Sequence, residues 1–538
     1  MAAFQGKKLM GDPNDVVTEF IEGLVETYPG LLYLDGFPQV KVVLRADISH
    51  DKVAVISGGG SGHEPAHAGF VGEGMLAAAI CGDVFTSPPV DSILAGIRAV
   101  TGPNGCLLIV KNYTGDRLNF GLAAEQAKSE GYKIEVAGAA AAAGLPLADV
   151  TAEAKIASET VGTMGIALSV CTLPGQISSD RLGPGKMELG LGIHGEPGAA
   201  VVDLLPVDTV VSHVLEQILS KETNYVPITR GNRVIVMING LGATPIMELM
   251  IAAGKTVPKL QVEHGLAVDR VYTGSFMTSL DMAGFSISIM RADEAILQRL
   301  DAPTRAPYWP VSVEGDRPPT KLPVPIPISR STKNDEVSIR PQELSEQGHI
   351  LEVVIEAAAS ALINLKDSLN DWDGKVGDGD CGSTMFRGAT AVLEDMRNYY
   401  PLNDAAETVN QIGTSIKRVM GGTSGIMYGA DALEESIAAI SKYGGARAGY
   451  RTLLDALIPA STVLQERLAA GDKPSAAFVL SSEAALSGAE STKNMHAQAG
   501  RSSYISPEIL ASVPDPGAMA VAAWYRAAAL AVKEQYQT

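Results

Sequence analysis

Between Asp51 and about Met290 the chain repeatedly sets a short aliphatic run against a turn and then a longer Ala/Leu stretch. VAVIS, CLLIVKN and RVIVMING each close in glycine or polar residues and lead into a segment of helical length. Runs of this kind bounded by turn residues predict strands, and their alternation with helices predicts an α/β domain. Eight prolines then fall between Pro303 and Pro327, followed by the polar SRSTKNDEVS, a composition that keeps a chain extended. Beyond this linker Leu351, Val354, Ala358, Leu362, Leu365 and Leu369 recur at spacings of three and four, the period of one helix face. Comparable Ala/Leu segments run on to the end without a convincing strand. The predicted layout is an α/β domain over 1–315, a Pro-rich linker over 316–346 and an all-α domain over 347–538.

Composition narrows what such a chain can bind. At 538 residues and 46% hydrophobic content it exceeds what one core organises, and each domain has apolar material for its own interior. A net charge of −19 disfavours sequence-independent attraction to nucleic acid or anionic lipid. A phosphate-bearing substrate must then be held by glycine amides, helix ends or metal. Cys81, Cys106, Cys171 and Cys381 lie far apart with no CxxC pair, which argues against a thiolate zinc centre and for a reducing compartment. No segment supplies the ~18 uncharged apolar residues of a membrane span, and the opening residues lack a signal-peptide core. The expectation is a soluble cytoplasmic protein.

Glycine is concentrated in a few clusters, and these carry the candidate chemistry. SGGGSGHEPAHAG, Ser57 to Gly69, follows the strand VAVIS, so its amides face the crevice where open α/β sheets bind ligands. His63 is a candidate acid or donor there; the alternative is a glycine-lined turn with His63 and His67 merely exposed. KNYTGDRLNF also follows a strand, so that Lys111 could hold a ligand oxygen and Asp116 could accept a proton from one strand-end loop. LGLGIHGEPGA sets His194 among glycines with Glu196 two residues on, either a ligand-bearing imidazole or a tight turn. In DWDGKVGDGDCGST, Asp373, Asp378 and Asp380 crowd within eight residues. Like charges so close repel unless a cation neutralises them, and hard oxygen donors favour Mg²⁺ or Ca²⁺. The EF-hand pattern does not fit, which leaves Mg²⁺ bridging to nucleotide phosphates or a solvated acidic turn. MGGTSG and GRSSY offer donors for phosphate, and DPG at Asp515 to Gly517 could form a turn under a base.

Taken in order, SGGGSGHEPAHAGFVGEGM, GDVFTSP, KNYTGDRLNF, LGIHGEPGA, TSLDMAGFS, KVGDGDCGST, MGGTSG and GRSSY resemble the dihydroxyacetone kinase family over nearly the whole chain. The likeness is nearest its single-chain, ATP-dependent members of the triokinase/FMN cyclase type. It implies an α/β substrate-binding K domain followed by an all-α helical barrel, the nucleotide-binding L domain, and a homodimer. It implies that His194 attacks the ketone carbon of dihydroxyacetone to form a covalent hemiaminal, a bond that glycerol, lacking a carbonyl, cannot make. Gly60, Ser61, Gly62 and His63 would surround the ligand, Lys111 would bind it, Asp116 would take the hydroxyl proton and His63 would assist addition. Asp373, Asp378 and Asp380 match the family's Mg²⁺ ligands. Cys381, Gly382, Ser383, Thr384, Thr423, Ser424, Gly449, Arg501, Asp515, Pro516 and Gly517 match its ATP contacts.

Two junctions depart from the family pattern. Roughly thirty residues expected between KIEV and AGAAAAAGLPL are missing at Val136/Ala137, where a strand-to-helix connection takes about two to six. About twenty more are missing near Gly429/Ala430, and losses inside a packed domain are expected to be costly. The expected activity is phosphorylation of dihydroxyacetone, and of glyceraldehyde. The alternatives are cleavage of FAD to AMP and cyclic FMN at the same metal site, or an inactive form that acts as a binding partner.

Overall fold

The computed structural model of the chain describes residues 8–136, 146–310, 323–325, 327, 339–420, 437, 441, 445–498 and 501–536. It divides into two compact units, Met1–Ile326 and Pro327–Thr538. The first holds two six-stranded sheets. Strands β1 (Leu31–Tyr33), β2 (Val42–Arg45), β3 (Ala54–Ser61), β4 (Ala78–Val84), β5 (Cys106–Val110) and β6 (Ile134–Val136) form one in the order β1-β2-β4-β3-β5-β6. Strand β3 pairs in parallel with both β4 and β5 and is buried along all eight residues, which suits its continuous apolar and glycine run. Helices α1 (Val16–Thr27) and α4 (Leu147–Glu159) cover one face, and α2 (Val90–Val100) and α3 (Thr114–Ser129) the other.

The second sheet contains β7 (Val161–Ala167), β8 (Lys186–Leu189), β9 (Ala200–Asp203), β10 (Arg233–Gly240), β11 (Ala267–Gly274) and β12 (Gly284–Arg291), ordered β11-β10-β12-β7-β8-β9. Only β10 and β11 pair in parallel; the other pairings are antiparallel. Connections without a helix, such as the loop from Gly190 to Ala199 between β8 and β9, return the chain to an antiparallel neighbour, so strand–helix alternation does not extend through this sheet. Helices α5 (Val207–Ile218) and α6 (Ile246–Val262) cover one face, and α7 (Glu294–Leu300) packs on the other.

The second unit is helical throughout its described residues: α8 (Glu346–Asn364), α9 (Lys366–Val376), α10 (Cys381–Asn398), α11 (Ala405–Val419), α12 (Leu454–Ala469), α13 (Pro474–Ser491), α14 (Pro507–Leu510) and α15 (Pro516–Gln535). The leucine stripe predicted as one helix face crosses a bend of 51° between α8 and α9, and Leu365 sits at the break. At this point a Cβ on Gly382 would lie 1.9 Å from the Lys366 carbonyl oxygen, so α10 meets the start of α9 at a distance only glycine permits. No single helix among the described residues is long and apolar enough to cross a membrane. The sequence junction near Gly429/Ala430 lies outside the described residues, as do Ala137 and the eight residues after it.

Candidate active site

Two sheets deliver the first group of functional side chains. Leaving β3, the chain places His63 in the core with no exposed surface. The segment between β11 and β12 grips it: Thr278 N donates to the His63 carbonyl at 3.1 Å and Leu280 N to the Gly62 carbonyl at 2.8 Å. The His63 Nδ1 lies 2.8 Å from the Thr278 carbonyl. His194 comes from the β8–β9 hairpin, and its Nε2 lies 3.2 Å from His63 Nε2. Its Nδ1 and backbone amide meet the two oxygens of Glu196 at 2.9 and 2.6 Å. Phe85 stacks on His63 with centroids 5.0 Å apart, and Phe85 and Tyr113 meet the His194 ring edge-on at 4.7 and 4.8 Å.

The hairpin has its own brace. Arg181 donates to both oxygens of Glu188, at 3.0 and 2.8 Å, and also to the Gly195 carbonyl at 3.3 Å. Glu188 in turn accepts the Gly198 amide at 2.7 Å. Its side chain is 1% exposed, so this carboxylate is buried only because it is fully paired. Gly195 sits at φ +88°, in the left-handed region that favours glycine.

Lys111 directly follows β5, and Asp116 lies in the first turn of α3, a helix and not the loop expected. Both come to Gly59: a Cβ there would stand 2.5 Å from Lys111 Cε and 3.4 Å from Asp116 Oδ1. Burial lowers the Lys111 pKa against the opposing charges of Asp116 and Glu64. Burial, with Lys111 nearby, pushes His63 down to about 3, so its ring is neutral at neutral pH. Burial opposes the ionisation of Glu196, but the hydrogen bonds from His194 hold its carboxyl below the usual range. Replacing Gly59 with alanine should drive Lys111 aside. We expect the Michaelis constant for the ligand of this site to rise at least about tenfold, and the melting midpoint to fall as well because Gly59 sits at φ +149°, read from kinetics and a thermal melt.

In the second unit Asp373 lies on α9, and Asp378 and Asp380 in the turn leading to α10. A carboxylate oxygen from each falls within 4.8 Å of the others. Asp373 Oδ2 also accepts the amides of Asp380 and Cys381 at 2.9 and 3.1 Å, and Asn370 Oδ1 accepts that of Ser383 at 3.0 Å. The run Cys381–Thr384 thus begins α10 with the amides of Cys381, Ser383 and Thr384 engaged, while the Ser383 and Thr384 hydroxyls accept from Asn370 and Arg387 at 3.0 and 2.9 Å and keep their own protons to donate. Burial, then the charges of Asp373, Asp515 and Asp380, push the Cys381 thiol up to about 12.

Asp515, Pro516 and Gly517, expected as a turn, make the start of α15. Asp515 caps α15, its Oδ1 accepting the Ala518 amide at 2.8 Å, and Pro516 opens the helix, the position where its missing N–H costs nothing. Burial raises the Asp515 carboxyl to about 6. Gly449 has φ +83° and leads to Arg451, which sequence reasoning missed. Its side chain is fully buried, its φ is +62°, and Nη2 donates to the Leu510 and Val513 carbonyls at 3.2 and 2.8 Å, with Asp515 3.9 Å from Nη1. Arg451→Ala should cost about 3 kcal/mol by freeing those carbonyls and unpairing a buried charge, measurable as a lower melting midpoint. Thr423 and Ser424 lie outside the described residues, as does the side chain of Arg501; next to it, Ser502 Oγ donates to the Val376 carbonyl at 3.1 Å.

The Dak1 domain profile matches residues 22–137 and 134–308, and the DAK2 domain profile residues 375–430 and 429–530. A Solanum lycopersicum protein named "Putative 3,4-dihydroxy-2-butanone kinase" is 72% identical, covering 99% of this chain and 100% of that one. The chain belongs to the dihydroxyacetone kinase family. Mouse triokinase/FMN cyclase, 37% identical, covers 97% of the chain and 98% of its own length. The solved dihydroxyacetone kinase of Citrobacter freundii matches at 36% identity and a TM-score of 0.63, covering 97% of this chain and 99% of that one. A second structure of that kinase holds AMP-PNP and Mg²⁺. The α/β unit followed by a helical unit is the order of Dak1 then DAK2. Both profile matches break at the junctions where the sequence departs from the family pattern, and the tomato alignment runs over 591 positions against the 538 residues present here.

Proposed function

We propose that this chain transfers the terminal phosphoryl group of ATP to dihydroxyacetone, and to glyceraldehyde, with the acceptor held covalently on His194. The observation that carries the reading is the approach of His63 and His194 at 3.2 Å, beside Lys111 and Asp116, in a chain that has triokinases and dihydroxyacetone kinases among its relatives. Neutral His63 uses its one proton on the Thr278 carbonyl, so its Nε2 is a lone pair. Every contact of His194 is then satisfied when both of its nitrogens carry protons, Nδ1–H donating to Glu196 and Nε2–H to His63.

Attack needs the Nε2 lone pair. His63 is the base in reach, and once protonated it is a strong acid, since burial and Lys111 disfavour its charge. It passes that proton to the ketone oxygen as the N–C bond forms. The adduct keeps one positive charge on the His194 ring, which Glu196 balances before and after the step. Lys111 donates to a ligand oxygen, and Asp116 accepts the proton of the hydroxyl that attacks phosphorus.

Asp373, Asp378 and Asp380 offer only hard oxygen donors, and their spacing fits a small divalent cation. When bound there, Mg²⁺ would neutralise charge on the phosphoryl oxygens during transfer. Ser383 and Thr384 supply hydroxyls beside it, and the Arg451 brace keeps Asp515 to Gly517 in place. The homodimer implied by the family likeness belongs to the same reading and is read by sedimentation. The deciding assay is Mg²⁺-dependent ADP release with dihydroxyacetone and with glycerol. Release with the ketone alone is expected; equal rates would remove the role given to His194. A second reading, cleavage of FAD to cyclic FMN, is favoured by the names of the mammalian relatives and would use the carboxylate cluster without His194.

A further inference from the structure

The segment SGGGSGHEPAHAG contains a second histidine, His67, for which the proposed mechanism has no use. Its surroundings fix its tautomer. Ser57 has one hydroxyl proton, and that proton goes to the Ile109 carbonyl at 2.9 Å. The 3.0 Å contact between Ser57 Oγ and His67 Nδ1 is therefore one in which Nδ1–H donates to the hydroxyl oxygen. Burial, with the charges of Lys111 and His63, holds His67 down to about 3. The ring is neutral, and Nε2 is a bare acceptor.

That nitrogen is sealed from solvent and meets no donor among the described residues. Asp116 Oδ1 is in the same condition. Lys111 links the two: its charge bears on the His67 ring, and it meets Gly59 together with Asp116 Oδ1. Buried acceptors are ordinarily paired. Two that are not, beside one ammonium group, make a site complementary to a small molecule carrying two hydroxyl donors and a further oxygen.

We propose that His67 is a substrate-binding residue: its Nε2 accepts a hydrogen bond from the ligand hydroxyl that is not phosphorylated, while Asp116 takes the other. Ser57 acts through it as a positioning residue, because the Ser57–Ile109 bond keeps the accepting nitrogen turned to the ligand. The inference deepens the kinase reading and rests on it for the identity of the ligand. It predicts a preference for dihydroxy over monohydroxy ketones, set by an acceptor that the monohydroxy compound leaves unpaired.

Asparagine at position 67 can still reach Ser57 but ends short of Nε2, whereas glutamine carries an acceptor to that point. The test is calorimetric binding of dihydroxyacetone and of hydroxyacetone, without nucleotide, to the full-length wild type, His67→Asn, His67→Gln and Ser57→Ala, each checked by thermal melt. His67→Asn should weaken dihydroxyacetone binding at least about tenfold and leave hydroxyacetone binding unchanged. His67→Gln should recover most of the loss, and Ser57→Ala should fall between. Unchanged dihydroxyacetone binding in His67→Asn overturns the proposal, and so does an equal loss for both ketones. Binding that follows the expected pattern without any ADP release in the separate turnover assay would leave His67 as assigned and overturn the kinase reading instead.

Discussion

Alanine in place of His194 will abolish phosphorylation of dihydroxyacetone, with a loss of at least about a thousandfold in kcat/KM. The side chain is both the proposed nucleophile and the ring that Phe85 and Tyr113 meet edge-on, so neither covalent capture nor positioning survives. Incubation of the wild type with dihydroxyacetone should add the mass of one triose, an adduct absent from His194→Ala and never formed with glycerol. Fold stability should change little, because His194 lies in a hairpin held by Arg181 and Glu188 independently of its ring. If the added mass persists in the variant, the nucleophile is elsewhere. Any cleavage of FAD should be retained in His194→Ala, which separates the two activities.

Asp378→Asn should also lower activity steeply, by a different route. Loss of one carboxylate from the cluster on α9 and the following turn is expected to weaken nucleotide-dependent activity by at least about a hundredfold, for kinase and cyclase alike. Triose capture on His194 should be untouched, since it requires nothing from the second unit. Two melts complete the test. Added Mg²⁺ should raise the melting midpoint of the wild type through preferential binding to the native state, and should not raise that of the variant. A variant that turns over normally would show that the aspartates form only a solvated turn.

Much of this site could be read in the chain because its residues sit where strands stop. His63, Lys111 and His194 each follow a β-run and fall among glycines or polar turn residues, and Asp373, Asp378 and Asp380 are close enough in sequence for their repulsion to be evident. The groups that remained hidden work through tertiary contact. Phe85 reaches His63 from a left-handed backbone conformation, at φ +57°, that no local pattern announces. Thr278 contributes a carbonyl from 215 residues away. Glu188 and Arg181 are ordinary surface-type residues until the hairpin buries one against the other. The cap formed by Asp515 is hidden for the converse reason: Asp-Pro-Gly is a turn signal in isolation and a cap-and-first-turn signal when a long alanine-rich stretch follows, as it does in α15. The bend at Leu365 depends on how closely α10 approaches, which periodicity along α8 and α9 does not encode.

The two imidazoles that face each other belong to different sheets, one following β3 and the other between β8 and β9, and the segment around Thr278 bonds the backbone beside the first to the sheet that carries the second. A triose bonded to His194 while its oxygens rest on Lys111 and His67 would therefore act as a molecular staple across the two halves of the α/β unit. Occupancy would stiffen that seam, and the unloaded protein would breathe most where its acceptor enters.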